Sequence, residues 1–128
     1  MYISLLLFLS VGLSQNRVNV NNLVQYGDKY FKENDDRPFN GIVFDISKET
    51  GKKILEYKMV NGLKNGLYQE WSSDGTLIKK GKFINGIKNG KWTSWSDDEN
   101  KLKVYEETYK DGELISQKDF NPDGSVRE

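Results

Sequence analysis

The sequence predicts an all-β fold in which tandem β-hairpins form a single elongated, twisted antiparallel meander sheet. Three observations carry this. First, Asn-Gly recurs at Asn40-Gly41, Asn65-Gly66 and Asn89-Gly90, spaced 25 and 24 residues apart. Second, two further marks keep phase with it: Asn61-Gly62, Asn85-Gly86 and Asp111-Gly112 follow, while Thr50-Gly51, Asp74-Gly75 and, without glycine, Glu99-Asn100 lie between. Third, aromatic and β-branched residues fill the intervals, and no segment after the N-terminal run has a helical period. Marks that keep one order at near-equal spacing mean one supersecondary unit copied along the chain.

The elements follow in order. Residues 1–14 hold an apolar run from Ile3 to Val11, then Gly12-Leu13-Ser14 before Gln15. The small-x-small spacing resembles a signal-peptidase site, so 1–14 is read as a signal peptide with a mature start at Gln15. The run is too short to cross a bilayer, and no basic residue precedes it. The competing reading is a buried N-terminal strand or helix. Export implies a periplasmic or secreted protein without a lipid-modified cysteine; the alternative reading implies a cytoplasmic one. Polar residues 15–21 read as a loose linker. Residues 22–128 form the repeat domain, with units at about 38–62, 63–86 and 87–112 and a partial unit at 113–128.

Unit two is the cleanest. Gly66 to Trp71 is a first strand, Ser72-Ser73-Asp74-Gly75 a turn, Thr76 to Phe83 a second strand, and Asn85-Gly86 the turn into the next unit. Glycine has no Cβ, and asparagine tolerates the left-handed region, so these pairs suit tight hairpin turns. Gly41, Gly66, Gly75, Gly86, Gly90 and Gly112 are accordingly read as structural turn glycines. At the front, Asn22 to Tyr26 and Lys29 to Phe31 read as strands around Gly27-Asp28. About eight antiparallel strands result, roughly 35 to 40 Å across at ~4.8 Å per strand.

Bulky side chains recur at fixed places. Two residues after the first glycine of each unit stand Val43, Tyr68 and Trp92, and five after it stand Ile46, Trp71 and Trp95. In a regular strand these two sets face opposite sides. Either a bulge intervenes or both faces carry aromatics.

Composition narrows the function classes. The 128 residues suffice for one domain. Apolar residues make up 36% and charged residues 30% of the chain, which suits a sheet with wet faces. Lys+Arg and Asp+Glu are both 19, so the total charge gives no support to nucleic-acid binding or electrostatic docking on anionic lipid. The local basic spot at Lys79, Lys80 and Lys82 reads as a solvated strand face. With no Cys and no His, thiol nucleophiles, disulfides, Cys- or His-ligated zinc and imidazole acid–base chemistry are all excluded.

The residues Asn65-Gly66-Leu67-Tyr68-Gln69-Glu70-Trp71 with Asp74-Gly75-Thr76-Leu77 resemble the bacterial variant of the MORN repeat. Asn89-Gly90-Lys91-Trp92-Thr93-Ser94-Trp95 matches again, and Pro38-Phe39-Asn40-Gly41 resembles the usual opening. Ile46 for an aromatic residue and Asn100 for glycine depart from the pattern. The resemblance covers about residues 26–128. Such chains are grouped as YwqK-family antitoxin-like proteins. The resemblance implies stacked antiparallel hairpins, protein or lipid-surface binding in some relatives, and neither catalysis nor a cofactor.

An array of hairpins supplies surface rather than an enclosed pocket. The leading expectation is therefore a non-catalytic β-repeat module that binds or scaffolds a protein partner, with no metal and no nucleic acid. The alternatives are an antitoxin or immunity protein that neutralises a toxin, and a membrane-surface recruitment module with peripheral contact. Tyr68, Trp71, Trp92 and Trp95 are the candidate binding residues, since aromatic ladders bind by stacking and desolvation. The competing assignment is packing between repeats. Within the four, Trp71 and Trp95 are expected to stack across hairpins as structural residues, and Tyr68 and Trp92 to face a partner. A glycosidase-like carboxylate pair among Glu70, Asp74, Asp97 and Asp98 is the enzymatic alternative, and it lacks any sign of an enclosing pocket.

Overall fold

The computed structural model describes residues 16–128, so the expected signal peptide lies outside the described residues. The chain is all-β. The described residues form ten strands: β1 (Arg17–Asn19), β2 (Leu23–Tyr26), β3 (Lys29–Lys32), β4 (Gly41–Ile46), β5 (Lys53–Val60), β6 (Leu63–Trp71), β7 (Leu77–Ile84), β8 (Ile87–Trp95), β9 (Lys103–Lys110) and β10 (Glu113–Asp119). Strands β4 to β10 form an antiparallel meander in sequence order, while β2 and β3 form a separate two-stranded sheet.

The first strand differs from expectation. Residues 17–19, read as part of a loose linker, run parallel to β4 at the sheet edge. Val18 drives this: it is buried in the core, and the Ile42 N–H donates to the Asn16 carbonyl at 2.8 Å. The parallel pairing makes the sheet mixed rather than purely antiparallel.

The linking turns form at Asn61-Gly62, Asn85-Gly86 and Asp111-Gly112. In each, both residues have positive φ, between 47° and 82°. That is the two-residue turn whose twist matches a right-handed hairpin. The mid-unit turns use a side-chain device instead. Asp74 Oδ1 accepts the Thr76 N–H at 2.9 Å, Asp98 Oδ1 the Asn100 N–H at 3.0 Å, and Asp123 Oδ1 the Ser125 N–H at 2.8 Å. Lys101, at φ 50°, takes the left-handed position that glycine holds in the other units.

Gly41, Gly66 and Gly90 are not turn glycines. Gly41 opens β4, Gly66 lies inside β6 and Gly90 inside β8. Across β5–β6 the register passes from Tyr57↔Tyr68 to Met59↔Lys64, so one residue on β5 faces three on β6. The same shift, from Lys80↔Thr93 to Lys82↔Asn89, surrounds Gly90. Gly66 at φ 107° is the central residue of the first irregularity, and Gly90 at φ 74° opens the second. The adjoining asparagine has its own job. Asn40 Oδ1 accepts the Asn61 N–H at 2.8 Å, and Asn65 Oδ1 accepts the Asn85 N–H at 3.1 Å. Asn40 and Asn65 thus anchor the next linking turn rather than making one. Gly75, Gly86 and Gly112 do lie in turns.

The core sits under the N-terminal segment. Val18, Phe39, Val43, Tyr57 and Met59 form it, with Val20, Leu23, Tyr30, Leu55 and Tyr68 packed around them. The β2–β3 hairpin is tied down by the Tyr30 N–H to the Gly62 carbonyl and the Phe39 N–H to the Tyr30 carbonyl, both at 2.9 Å. Burial fades along the sheet, and every residue of β10 is exposed.

Candidate functional site

The parity of the two aromatic sets is settled by register. Strand β6 pairs one-to-one with β7 from Gly66 to Glu70; the extra residue, Ile78, belongs to β7. Strand β9 carries the matching extra residue, Val104, opposite β8. Tyr68 and Trp71 therefore face opposite sides, as do Trp92 and Trp95.

The Tyr68 side carries a continuous ring row. Tyr57 stacks on Tyr68 at 5.5 Å, Tyr68 meets Phe83 at 5.5 Å and Trp92 at 5.4 Å, and Phe83 lies edge-on to Trp92 at 5.0 Å. Tyr68 and Trp92 are two strands apart, with β7 between them. Their rings still touch because β7 places Gly81 opposite Tyr68, and the Trp92 indole fills the space above it. Trp92 is only 3% exposed, and its Nε1–H donates to the Lys82 carbonyl at 3.2 Å. It is a packed residue, not one that faces a partner. Tyr68 is half-buried, and its hydroxyl donates to Glu70.

On the other side, Trp71 and Trp95 are half-buried. They do not pair among the aromatic contacts of the described residues. Strand β7 again lies between them, but here it brings Leu77 opposite Trp71, so no gap lets the rings meet. Trp71 instead packs against Lys53, whose Nζ stands 4.8 Å from the ring centroid. Trp95 lines a shallow cavity of about 300 Å³ with Glu70, Lys79, Ser94 and Tyr105.

Two lysines complete the ring row, and sequence reasoning passed over both. Lys64 Nζ lies 5.0, 5.6 and 5.1 Å from the ring centroids of Tyr57, Tyr68 and Phe83. Lys88 Nζ lies 4.6 Å from that of Trp92 and 4.8 Å from that of Tyr109. A signal for them was present: Phe39, Lys64 and Lys88 each directly precede an Asn-Gly pair. Their equivalence is structural. The Gly62, Gly86 and Gly112 N–H groups donate to the carbonyls of Phe39, Lys64 and Lys88 at 2.9, 2.7 and 3.1 Å.

Beside Lys64, at the linking-turn end of the sheet, is a cavity of about 440 Å³. Asp28, Tyr30, Leu63, Lys64, Phe83 and Ile87 line it. Burial shifts the groups around it. Tyr57 is pushed up to about 12 by desolvation, with Tyr30 adding a smaller effect. Tyr68 is raised further by desolvation and then by its bond to Glu70. Lys64 is held below the usual lysine range by desolvation, which Glu70 partly opposes. Among the described residues, no cluster of acidic side chains is arranged to hold a metal ion.

No family model matches the chain, and no curated protein matches it. Among solved structures, the crystal structure of TarM is similar at 16% identity and a TM-score of 0.43, over 83% of this chain. The chain spans 18% of the TarM chain, and a likeness at that score carries no statement about function.

Proposed function

We propose that this chain is a non-catalytic β-repeat module that binds a partner protein on the face bearing Tyr68, at the edge of its N-terminal segment. One observation supports this most. The ring row from Tyr57 through Phe83 continues past the core and ends beside an open cavity of about 440 Å³. Clefts of that size, with apolar walls and a few polar groups, are the usual binding places on a protein. The resemblance of the units to bacterial MORN-like repeats agrees with a binding role, as does the turn-rich architecture. Of the four aromatics singled out in the sequence, Tyr68 stays in the proposed surface. Trp92 holds it in shape from below.

Purification of the chain from its own cells after chemical cross-linking tests the reading. A partner protein cross-linked through Lys64 or Lys88 is the expected result. Recovery of the chain alone, or cross-links confined to Lys53, Lys103 and the Trp71 face, would overturn it.

A further inference from the structure

The four successive copies of one repeat position do not hold the same kind of residue. Phe39, Lys64 and Lys88 occupy it in the three full units, by the shared hydrogen bond from the following turn glycine. Leu114 occupies it in the last, opposite Tyr109 as Lys64 is opposite Met59 and Lys88 opposite Phe83. At this position Phe39 is buried in the core, and Leu114 is exposed. The two central units place ammonium groups there instead.

Lys64 is the sharper case. Lys88 lies 3.4 Å from the Tyr109 hydroxyl. Lys64 has no carboxylate within ion-pair distance and no hydrogen-bond partner for Nζ among the described residues. Three ring faces hold it, and Glu70 acts on its charge from beyond ion-pair distance. Cation–π contacts of this kind recover part of the hydration an ammonium loses, not all of it. The deficit faces the cavity of about 440 Å³, whose apolar walls are Leu63, Phe83 and Ile87. Asp28, also in its lining, offers an acceptor.

Resting on the binding-module reading, we propose that this cavity receives an internal glutamate of an extended segment in the partner protein. Its carboxylate meets Lys64, and its methylenes pack between Leu63, Phe83 and Ile87. A neighbouring backbone N–H of the same segment donates to Asp28. The Asp28 contact is what selects an internal residue. A terminal carboxylate has no following N–H to offer Asp28.

The test uses the isotope-labelled chain and three probes followed by amide shifts. The probes are acetyl-Ala-Leu-Glu-Leu-Ala-amide, the same peptide with Gln for Glu, and that Gln peptide with a free C-terminal carboxylate. The Glu peptide should shift Gly62, Lys64 and Gly86, and should bind at least about tenfold more tightly than the Gln peptide. Lys64→Met should remove that preference with the melting temperature retained. If Lys64→Met fails to fold, Ile87→Glu serves instead: residue 87 is exposed at the cavity mouth, and a carboxylate there should abolish Glu-peptide binding. Equal binding of the Glu and Gln peptides, tighter binding of the free carboxylate, or binding unchanged in the variants would overturn the proposal. A cross-linked partner that binds Lys64→Met as well as wild type would overturn this inference alone. Absence of any partner would sink the binding-module reading itself.

Discussion

The indole of Trp92 occupies the space that a side chain at Gly81 would need. A Cβ built on Gly81 would overlap the indole carbons. Gly81 stands opposite Tyr68 on β6, so its missing side chain lets Tyr68 and Trp92 meet at 5.4 Å across β7. Gly81→Ala should therefore be destabilising although alanine suits a strand no worse than glycine. Overpacking of this kind costs about 1–3 kcal/mol. Chemical denaturation of Gly81→Ala reads it, and a melt equal to wild type would mean that the indole moves aside freely.

The same geometry reverses the expected ranking of the tryptophans. Trp92 is buried among Tyr68, Phe83 and Lys88, whereas Trp71 is half-exposed and meets Lys53. Trp92→Ala should cost about 3–5 kcal/mol, the range for truncating a buried aromatic. Trp71→Ala should cost markedly less, since part of its surface is already in water. Melts of the two variants side by side decide the matter, and equal losses would show that both sheet faces are packed.

The repeat, the strands and the linking turns were legible because each leaves a local mark. Asn85-Gly86 and Asp111-Gly112 need positive φ at both residues, and few pairs supply it. Gly66 and Gly90 looked alike in sequence but answer a different demand, a bulge inside a strand. Only the register of the neighbouring strand distinguishes the two uses. Strand β1 was missed because parallel pairing at an edge has no periodic signature, and Val18 alone marks it. Lys64 and Lys88 were missed because a lysine on a strand reads as a solvated face. The rings that enclose Lys64 come from three different strands, which no linear pattern connects.

Asn65 and Gly66 separate by substitution. Asn65→Ala removes the acceptor of the Asn85 N–H, a bond worth about 1 kcal/mol, and should loosen the Asn85-Gly86 turn. Faster amide exchange at Asn85 and Gly86 is the expected readout. A Cβ at residue 66 meets no neighbouring atoms within 4 Å, so Gly66→Val is not opposed by space at that atom. At φ 107° the backbone is strained for any side chain with a Cβ, at a cost of at least about 1 kcal/mol. If Gly66→Val melts like wild type, the backbone at residue 66 has relaxed to negative φ and the bulge is dispensable.

Alkaline pH should weaken the fold in part through Tyr57. Desolvation raises its phenol from 10.0 to about 12. The folded protein therefore holds this proton where the unfolded chain releases it. By linkage, stability falls wherever the folded state binds more protons. The contribution of Tyr57 is thus fully present below pH 10 and lost as pH rises to about 12. Holding the proton across that interval is worth on the order of 2 kcal/mol, which is what the folded state loses by pH 12. Tyr68, also raised, adds to the loss, while Lys64, lowered, acts in the opposite sense. Subtraction isolates Tyr57. Tyr57→Phe keeps the ring stacked on Tyr68 but has no proton to lose. Its stability should run parallel to wild type from pH 7 to 10, then gain on it up to pH 12. Denaturant titrations at pH 8, 10, 11 and 12 would show a constant offset instead if Tyr57 ionised in the folded chain as readily as in the unfolded one.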